Sequence, residues 1–166
     1  MSLPKIAKIT HELTIPSTGK KIKYRPFLVK EEKVLILAQE SGDQREMARA
    51  IKDVISACVQ TRGFNVDELA TFDIEFLFLN IRGNSVGGDV EVIITCPDDE
   101  VTRVPVTIYL DQIKVHIDED HSQIVKLDDI YSVKMKYPSM EMVMEADTDN
   151  VSVEQSLELI AGCIEQ

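Results

Sequence analysis

The spacing of apolar residues changes along this chain, and the change limits the folds open to it. Apolar and polar residues alternate in "IAKITHELTI" and "IKYRPF", on either side of the turn "PSTGKK", and apolar residues then recur at helical spacing until Gly87. From Asp89 the alternation returns. Alternation is typical of half-buried strands and the longer period of amphipathic helices. The sequence therefore predicts an α+β fold with an N-terminal β-hairpin, about three helices, a β-rich section of hairpins and a C-terminal helix.

The helical section has clear start and stop signals. Pro26 ends the second strand, and Glu31 lies in the first turn of a helix that ends near Gly42, where an acid is favoured by the helix dipole. A second helix begins at Asp43, with Glu46 completing a capping box, and is predicted to end at Gly63. The third helix carries Phe72, Phe76, Leu77, Leu79 and Ile81. It is apolar on most sides, so we expect it to be the central helix.

The β-rich section is predicted from its alternating segments. They are "DVEVIITC", "VTRVPVTIYL", "IKVHI", "SQIVKL" and "YSVKMKYPSMEMVM". Pro105 places its strand at a sheet edge because proline has no backbone N–H to donate. Ser152 and Gln155 form a capping box for the last helix. We expect a single α+β domain over residues 1–166, with lobes 1–87 and 88–166 as the alternative.

Length and composition restrict the class of protein. A chain of 166 residues with 44% hydrophobic content can bury one real core without a metal, cofactor or disulfide. No apolar run approaches the roughly 20 residues that span a bilayer, so no membrane role is expected. Three widely spaced cysteines, Cys58, Cys96 and Cys163, suit a reducing cytosol.

The charge is strongly acidic and uneven. The net charge of −11 repels nucleic-acid phosphates, which disfavours nucleic-acid binding. Residues 1–33 nevertheless hold eight basic and three acidic side chains, so the basic end and the acidic remainder can attract differently charged partners. The same polarity allows copies to meet head to tail, which leaves a homo-oligomer open.

Two segments have the residue types of catalytic or phosphate sites. "HIDEDH" would support a divalent-metal-dependent hydrolase using His116, Asp118 and His121, but an offset of five residues sends the two histidines to opposite faces of a strand. "RGNSVGGD" (82–89) is glycine-rich like a phosphate-binding loop. Such a loop follows a strand and opens a helix, whereas this segment leaves a helix and enters a strand. We therefore interpret it as helix termination at Gly87 or Gly88. No catalytic residue and no metal site is therefore predicted.

Two further features concern possible ligands and apolar surface. Cys96 at a hairpin tip lacks the second cysteine of a zinc knuckle, because position 99 is Asp99. The last helix carries apolar residues that stay exposed unless the domain, another chain or a missing continuation covers them. These residues are Leu157, Leu159, Ile160, Cys163 and Ile164.

Three segments carry a family resemblance. In order and spacing, "RPFLVKEEKVLILAQES" (25–41), "FLFLNIRGNSVG" (76–87) and "VEVIITCPDD" (90–99) closely resemble the baseplate hub subunit family of T4-like, contractile-tailed bacteriophages. The resemblance covers most of the chain. It implies a non-enzymatic protein of tail morphogenesis that acts in assembly of the baseplate hub inside the infected bacterium.

The resemblance also implies candidate binding residues. Arg25 and Lys30 belong to its hairpin-to-helix signature, where we expect Phe27 to serve packing, and Arg82 belongs to its helix-to-strand junction. With Leu157, Ile160 and Ile164 of the last helix, these residues form the predicted partner-binding set. Gly83 and Asp99 depart from the family pattern. The resemblance further implies a helical continuation after the last helix, so we expect this chain to be missing a C-terminal segment.

Two mechanisms fit that resemblance. The protein is either a hub subunit that stays in the virion baseplate, or an assembly factor that holds another hub protein or the tape-measure protein soluble in the host cytoplasm and then leaves. The expected partners are other phage hub or tail proteins in both cases.

Overall fold

A two-stranded antiparallel hairpin, β1 (His11–Thr14) and β2 (Lys21–Tyr24), is the first element of the computed structural model, which describes residues 9–145 and 152–165. Ile22 and Tyr24 are buried, while Lys21 and Lys23, which alternate with them, are exposed. This alternation is what a half-buried hairpin requires. The predicted N-terminal hairpin is confirmed, and its second strand ends before Pro26.

Helix α1 (Val29–Ser41) follows the proline, as predicted. The backbone N–H of Leu28 donates to Glu31 Oε2 over 2.7 Å, which satisfies an N–H group at the start of the helix. Gly42 ends the helix in the left-handed conformation, with φ of 69°, which glycine adopts without a side-chain clash.

Helix α2 (Gln44–Cys58) begins where the sequence predicts, with Asp43 as its N-cap, but it ends earlier than predicted. Asp43 caps it by accepting a hydrogen bond from the Arg45 amide at 2.7 Å, in place of the predicted capping box with Glu46. The helix ends at Cys58 and not at Gly63, because Val59 is extended and forms an antiparallel bridge with Tyr24 of β2. The helix therefore ends before Gly63 because Val59 pairs with the first hairpin.

Helix α3 (Thr71–Val86) is the central helix, as predicted. Ile74, Leu77 and Ile81 are at most 1% exposed, and they pack in one cluster with residues of the hairpin and α2. Gly87 ends the helix with φ of 126°, a backbone conformation that residues with a side chain rarely adopt. The interpretation of residues 82–89 as helix termination is confirmed.

The β-rich section contains β3 (Asp89–Thr95), β4 (Arg103–Tyr109), β5 (Ile124–Lys126) and β6 (Ser132–Lys134). Within the described residues, the strands form separate two-stranded sheets, β1–β2, β3–β4 and β5–β6. The strand predicted at "IKVHI" (113–117) is wrong, since these residues form irregular chain after a short 3-10 helix (Leu110–Gln112). Leu110 is buried there and lies beside Gly83 of α3.

Two helices follow the last strand. The segment "SMEMVM" forms α4 (Met140–Glu145) where alternation predicted a strand. Methionine and glutamate are good helix formers, and Ser139 accepts the first backbone hydrogen bond, from Val143, at 3.1 Å. Helix α5 (Val153–Gly162) has the predicted capping box between Ser152 and Gln155.

The main core lies between the first hairpin, α2 and α3. Its buried members come from positions 15 to 81, and Met140 of α4 packs against them. Lys52 of α2 joins the later part of the chain by ion pairs with Asp67 and with Glu141, the latter at 3.2 Å. No helix in the described ranges is both long enough and apolar enough to cross a membrane.

Candidate interaction surfaces

Arg25 lies at the junction of β2 and α1, where its guanidinium is engaged inside the molecule. Nη2 donates to Glu31 Oε1 and to the Ala57 carbonyl, both over 3.0 Å, and Nη1 donates to the Pro26 carbonyl over 2.9 Å. The Arg25 side chain is 19% exposed and that of Glu31 is 7% exposed. Arg25 therefore ties the start of α1 to the end of α2.

The Glu31 carboxylate is the centre of this junction. Burial alone would raise its pKa, but hydrogen bonds from Arg25 and the Leu28 amide, together with the Arg25 charge, outweigh burial and lower the pKa. Lys30 Nζ lies 3.3 Å from the same carboxylate with its side chain 74% exposed. Of the two predicted cations here, Lys30 is the one whose charge faces solvent.

Arg82 lies in a groove of about 490 Å³ between α1, α2 and α3. The groove is lined mainly by apolar side chains, among them Phe27, Leu35, Ile36, Met47 and Phe78. Arg82 Nη1 is buried without a hydrogen-bond partner among the described residues, which is energetically unfavourable for a charged donor. The apolar lining of the groove makes it a candidate binding surface.

The two segments that flank this groove are distant in sequence. The Phe27 amide donates to Ser85 Oγ over 3.0 Å, a contact between positions 58 residues apart. The hairpin-to-helix signature and the helix-to-strand junction thus meet at one place. Lys30 and Arg82 belong to the two sides of that contact.

The predicted apolar residues of the last helix form a second surface. Leu157, Ile160 and Ile164 are 60%, 53% and 38% exposed, and their spacing places them on one side of α5 and its C-terminal end. Cys163, the C-cap of the helix, is buried and 7% exposed. It lies where the chain after α5 pairs with β6, through the Glu165 amide and the Lys134 carbonyl at 2.9 Å.

The β3–β4 hairpin forms a third surface, which the sequence indicated only as a hairpin. Its even-numbered residues lie on one face, and that face is aliphatic: Val90, Val92, Ile94, Val104, Val106 and Ile108. All seven residues of β4 are exposed. A lone two-stranded hairpin is marginally stable in water. A partner that covered the aliphatic face would therefore stabilise the hairpin.

A basic pocket on α2 was missed by the sequence analysis. Arg45, Arg49 and Lys52 line a cavity of about 240 Å³ together with Met140 and Glu141 of α4. Hydrogen bonding to Asp67, which outweighs burial, raises the pKa of Lys52. The signal was present in the sequence, since residues at i, i+4 and i+7 share one helix face.

The predicted alternative site at "HIDEDH" has its residues engaged separately. His116 Nε2 lies 3.1 Å from Asp118 Oδ1, and His121 Nε2 lies 2.8 Å from the Tyr137 hydroxyl. The His121 ring also stacks on the Tyr137 ring. Across residues 9–145 and 152–165, no three His, Cys, Asp or Glu side chains are grouped so as to hold a metal ion. The three residues of the alternative hydrolase site are therefore not brought together around a common point in the described part of the chain.

Comparison with known proteins gives one match. A family model described as T4 bacteriophage base plate protein matches residues 6–166. No curated protein and no solved structure matches the chain.

Proposed function

Because the chain belongs to the T4 bacteriophage base plate protein family, we propose that it acts by protein–protein binding in assembly of the central hub of the baseplate. It does so in the cytoplasm of the infected host, as a hub subunit or as an assembly factor. Its partners are other hub or tail proteins. The role is non-enzymatic, and the separate engagement of His116 and His121 supports that view.

The observation that carries this proposal is the uncovered aliphatic face of the β3–β4 hairpin. Val104, Val106 and Ile108 are 47%, 36% and 38% exposed on adjacent positions of that face. Burying apolar area contributes roughly 25 cal/mol per Å², so such a face stabilises a complex when a partner covers it. Obligate interfaces are more apolar than transient ones. The hairpin face thus favours a permanent hub subunit.

A second candidate role is a transient chaperone of a hub or tape-measure protein that is absent from the finished virion. The net charge of −11 supports it, since charged surfaces suit reversible interfaces. The stripe of Leu157, Ile160 and Ile164 would then be a temporary docking surface. Mass spectrometry of purified virions separates the two roles. Stoichiometric copies support the subunit, and absence supports the chaperone.

The binding role itself is tested by complementation in the phage that encodes the chain. Val106→Asp places a charge on the aliphatic face, and Thr107→Asp is the matched control on the opposite face of the same strand. We expect Val106→Asp to lower the yield of assembled baseplates by at least about tenfold, and Thr107→Asp to lower it little. Normal assembly with Val106→Asp, in a protein that accumulates to normal levels, would contradict the proposal.

A further inference from the structure

In the β3–β4 hairpin, hydrogen-bonded and non-hydrogen-bonded residue pairs alternate, and this alternation determines which backbone groups face outwards. The Leu110 amide donates to the Gly88 carbonyl at 2.7 Å, and the Cys96 amide donates to the Thr102 carbonyl at 2.8 Å. Both lie in register with the β3–β4 pairing, so the hydrogen-bonded pairs are the even-numbered ones. The odd-numbered residues of each strand therefore direct their N–H and C=O groups to the outer edges.

The two outer edges differ because of one proline. Pro105 is odd-numbered and pairs with Ile93, so its missing N–H leaves the internal ladder intact but removes a donor from the middle of the β4 edge. The β3 edge keeps its donors and acceptors at Asp89, Glu91, Ile93 and Thr95. Among the described residues, neither edge is paired with another strand. The hairpin is thus open to strand addition at β3 and blocked at β4.

The side chains of β3 indicate the chemistry of an added strand. Val90, Val92 and Ile94 lie on the aliphatic face, and Asp89 and Glu91 lie on the opposite face. Within the described residues, neither carboxylate is in ion-pair distance of a cation. Opposite charges on neighbouring strands stabilise pairing, and like charges directly opposite destabilise it. A complementary strand therefore alternates apolar residues with lysine or arginine.

We propose that the outer edge of β3 receives a strand from a partner protein in which apolar and basic residues alternate. Main-chain hydrogen bonds give such a complex its affinity, and the alternating side chains give it specificity. Addition of a third strand also extends the aliphatic face that the hairpin leaves uncovered. A second copy of this chain is disfavoured as the occupant, because each copy carries −11. The inference rests on the proposed binding role and names the partner's chemistry.

The test uses the full chain and two synthetic seven-residue peptides, one alternating lysine with valine and one alternating glutamate with valine. Hydrogen–deuterium exchange of single amides is followed by NMR. We expect the lysine peptide to slow exchange at Glu91, Ile93 and Thr95 by at least about tenfold, because these amides gain acceptors. The glutamate peptide should leave them unchanged.

Two proline variants localise the effect. Ile93→Pro removes an outward donor of β3 without removing a ladder hydrogen bond, and we expect it to abolish the slowing at Glu91 and Thr95. Thr107→Pro is the matched change on β4, and we expect it to leave the slowing intact. Glu91→Lys keeps the backbone unchanged and should shift the preference to the glutamate peptide, which tests the charge rule even where a proline variant fails to fold.

Several outcomes would overturn the inference. They are equal slowing by both peptides, slowing at Thr107 and Tyr109 of β4, no slowing at all, or slowing that appears without peptide as the protein concentration rises, which would assign the edge to a second copy. None of these outcomes bears on the complementation result for Val106→Asp. Failure of the strand-addition site is therefore distinguishable from failure of the hub-assembly role.

Discussion

The guanidinium of Arg25 lies 3.0 Å from the carboxylate of Glu31 across the junction of β2 and α1. The same carboxylate accepts the Leu28 amide at 2.7 Å, so one buried acid holds a strand end and a helix start together. Two predictions follow from this pair.

Removal of Arg25 should destabilise the fold. Arg25→Ala leaves Glu31 buried without its cation, and breaking a buried ion pair from one side is strongly unfavourable. We expect a loss of about 2 to 4 kcal/mol in the free energy of unfolding, measured by chemical denaturation. Lys30→Ala is the control, because Lys30 approaches the same carboxylate from solvent and should cost under about 1 kcal/mol. Equal losses for the two variants would contradict the assignment.

The lowered pKa of Glu31 predicts a pH dependence of stability. A carboxylate whose pKa is lower in the folded state stabilises the protein above its unfolded pKa, and the contribution is lost as pH falls through the folded value. Stability should thus decline on acidification below the ordinary glutamate range. Glu31→Gln should reduce this decline relative to the unaltered chain in unfolding measurements from neutral to acidic pH. An unchanged slope would show that other carboxylates cause the decline.

Asp73 should be a further anchor of the first hairpin. It is fully buried in the first turn of α3, where Oδ1 accepts the Ser17 amide at 3.0 Å and Oδ2 accepts the Ser17 hydroxyl. Asp73→Ala leaves the amide unpaired and should cost about 2 to 3 kcal/mol. Ser17→Ala keeps the amide contact and should cost about 1 kcal/mol. Thermal or chemical unfolding of both variants checks the order.

Phe27 should contribute packing, as its place in the sequence predicts. It contacts the core cluster while remaining partly exposed. Phe27→Ala is expected to cost about 2 to 3 kcal/mol, less than a fully buried phenylalanine because part of the ring already meets water. Leu28→Ala, at a neighbouring position that is 54% exposed, should cost under about 1 kcal/mol. The reverse order in chemical denaturation would indicate a binding surface at this segment.

The cysteines should differ in reactivity. Burial raises the pKa of the Cys58 thiol to about 11, against the opposing charge of Arg25, and Cys163 is also buried. Because the thiolate is the reactive form, iodoacetamide at neutral pH should modify Cys96 first and the others mainly after unfolding. Peptide mapping by mass spectrometry gives the order. Modification of Cys58 at the rate of Cys96 in the folded protein would contradict its burial.

Elements with strong local signals were predictable. The first hairpin, α1, α3 and α5 have a matching hydrophobic period together with a proline, a glycine or a capping box at an end. Where a local signal competed with tertiary pairing or helix propensity, the prediction failed. Val59 was predicted to be helical but is extended and pairs with Tyr24. The alternating methionines after Ser139 were predicted to form a strand but form a helix.

The amino-acid sequence by itself determined most of the element types, the acidic balance and the resemblance to a baseplate family, because these depend on neighbouring residues or on order along the chain. The tertiary structure alone decided which charged side chains are engaged inside the fold and which remain available to a partner. The Arg25 guanidinium is held inside the fold by donating to the Ala57 carbonyl, 32 residues away, while a buried nitrogen of Arg82 has no partner among the described residues. Such outcomes depend on long-range packing, in which each side chain competes for acceptors that only the assembled fold brings near.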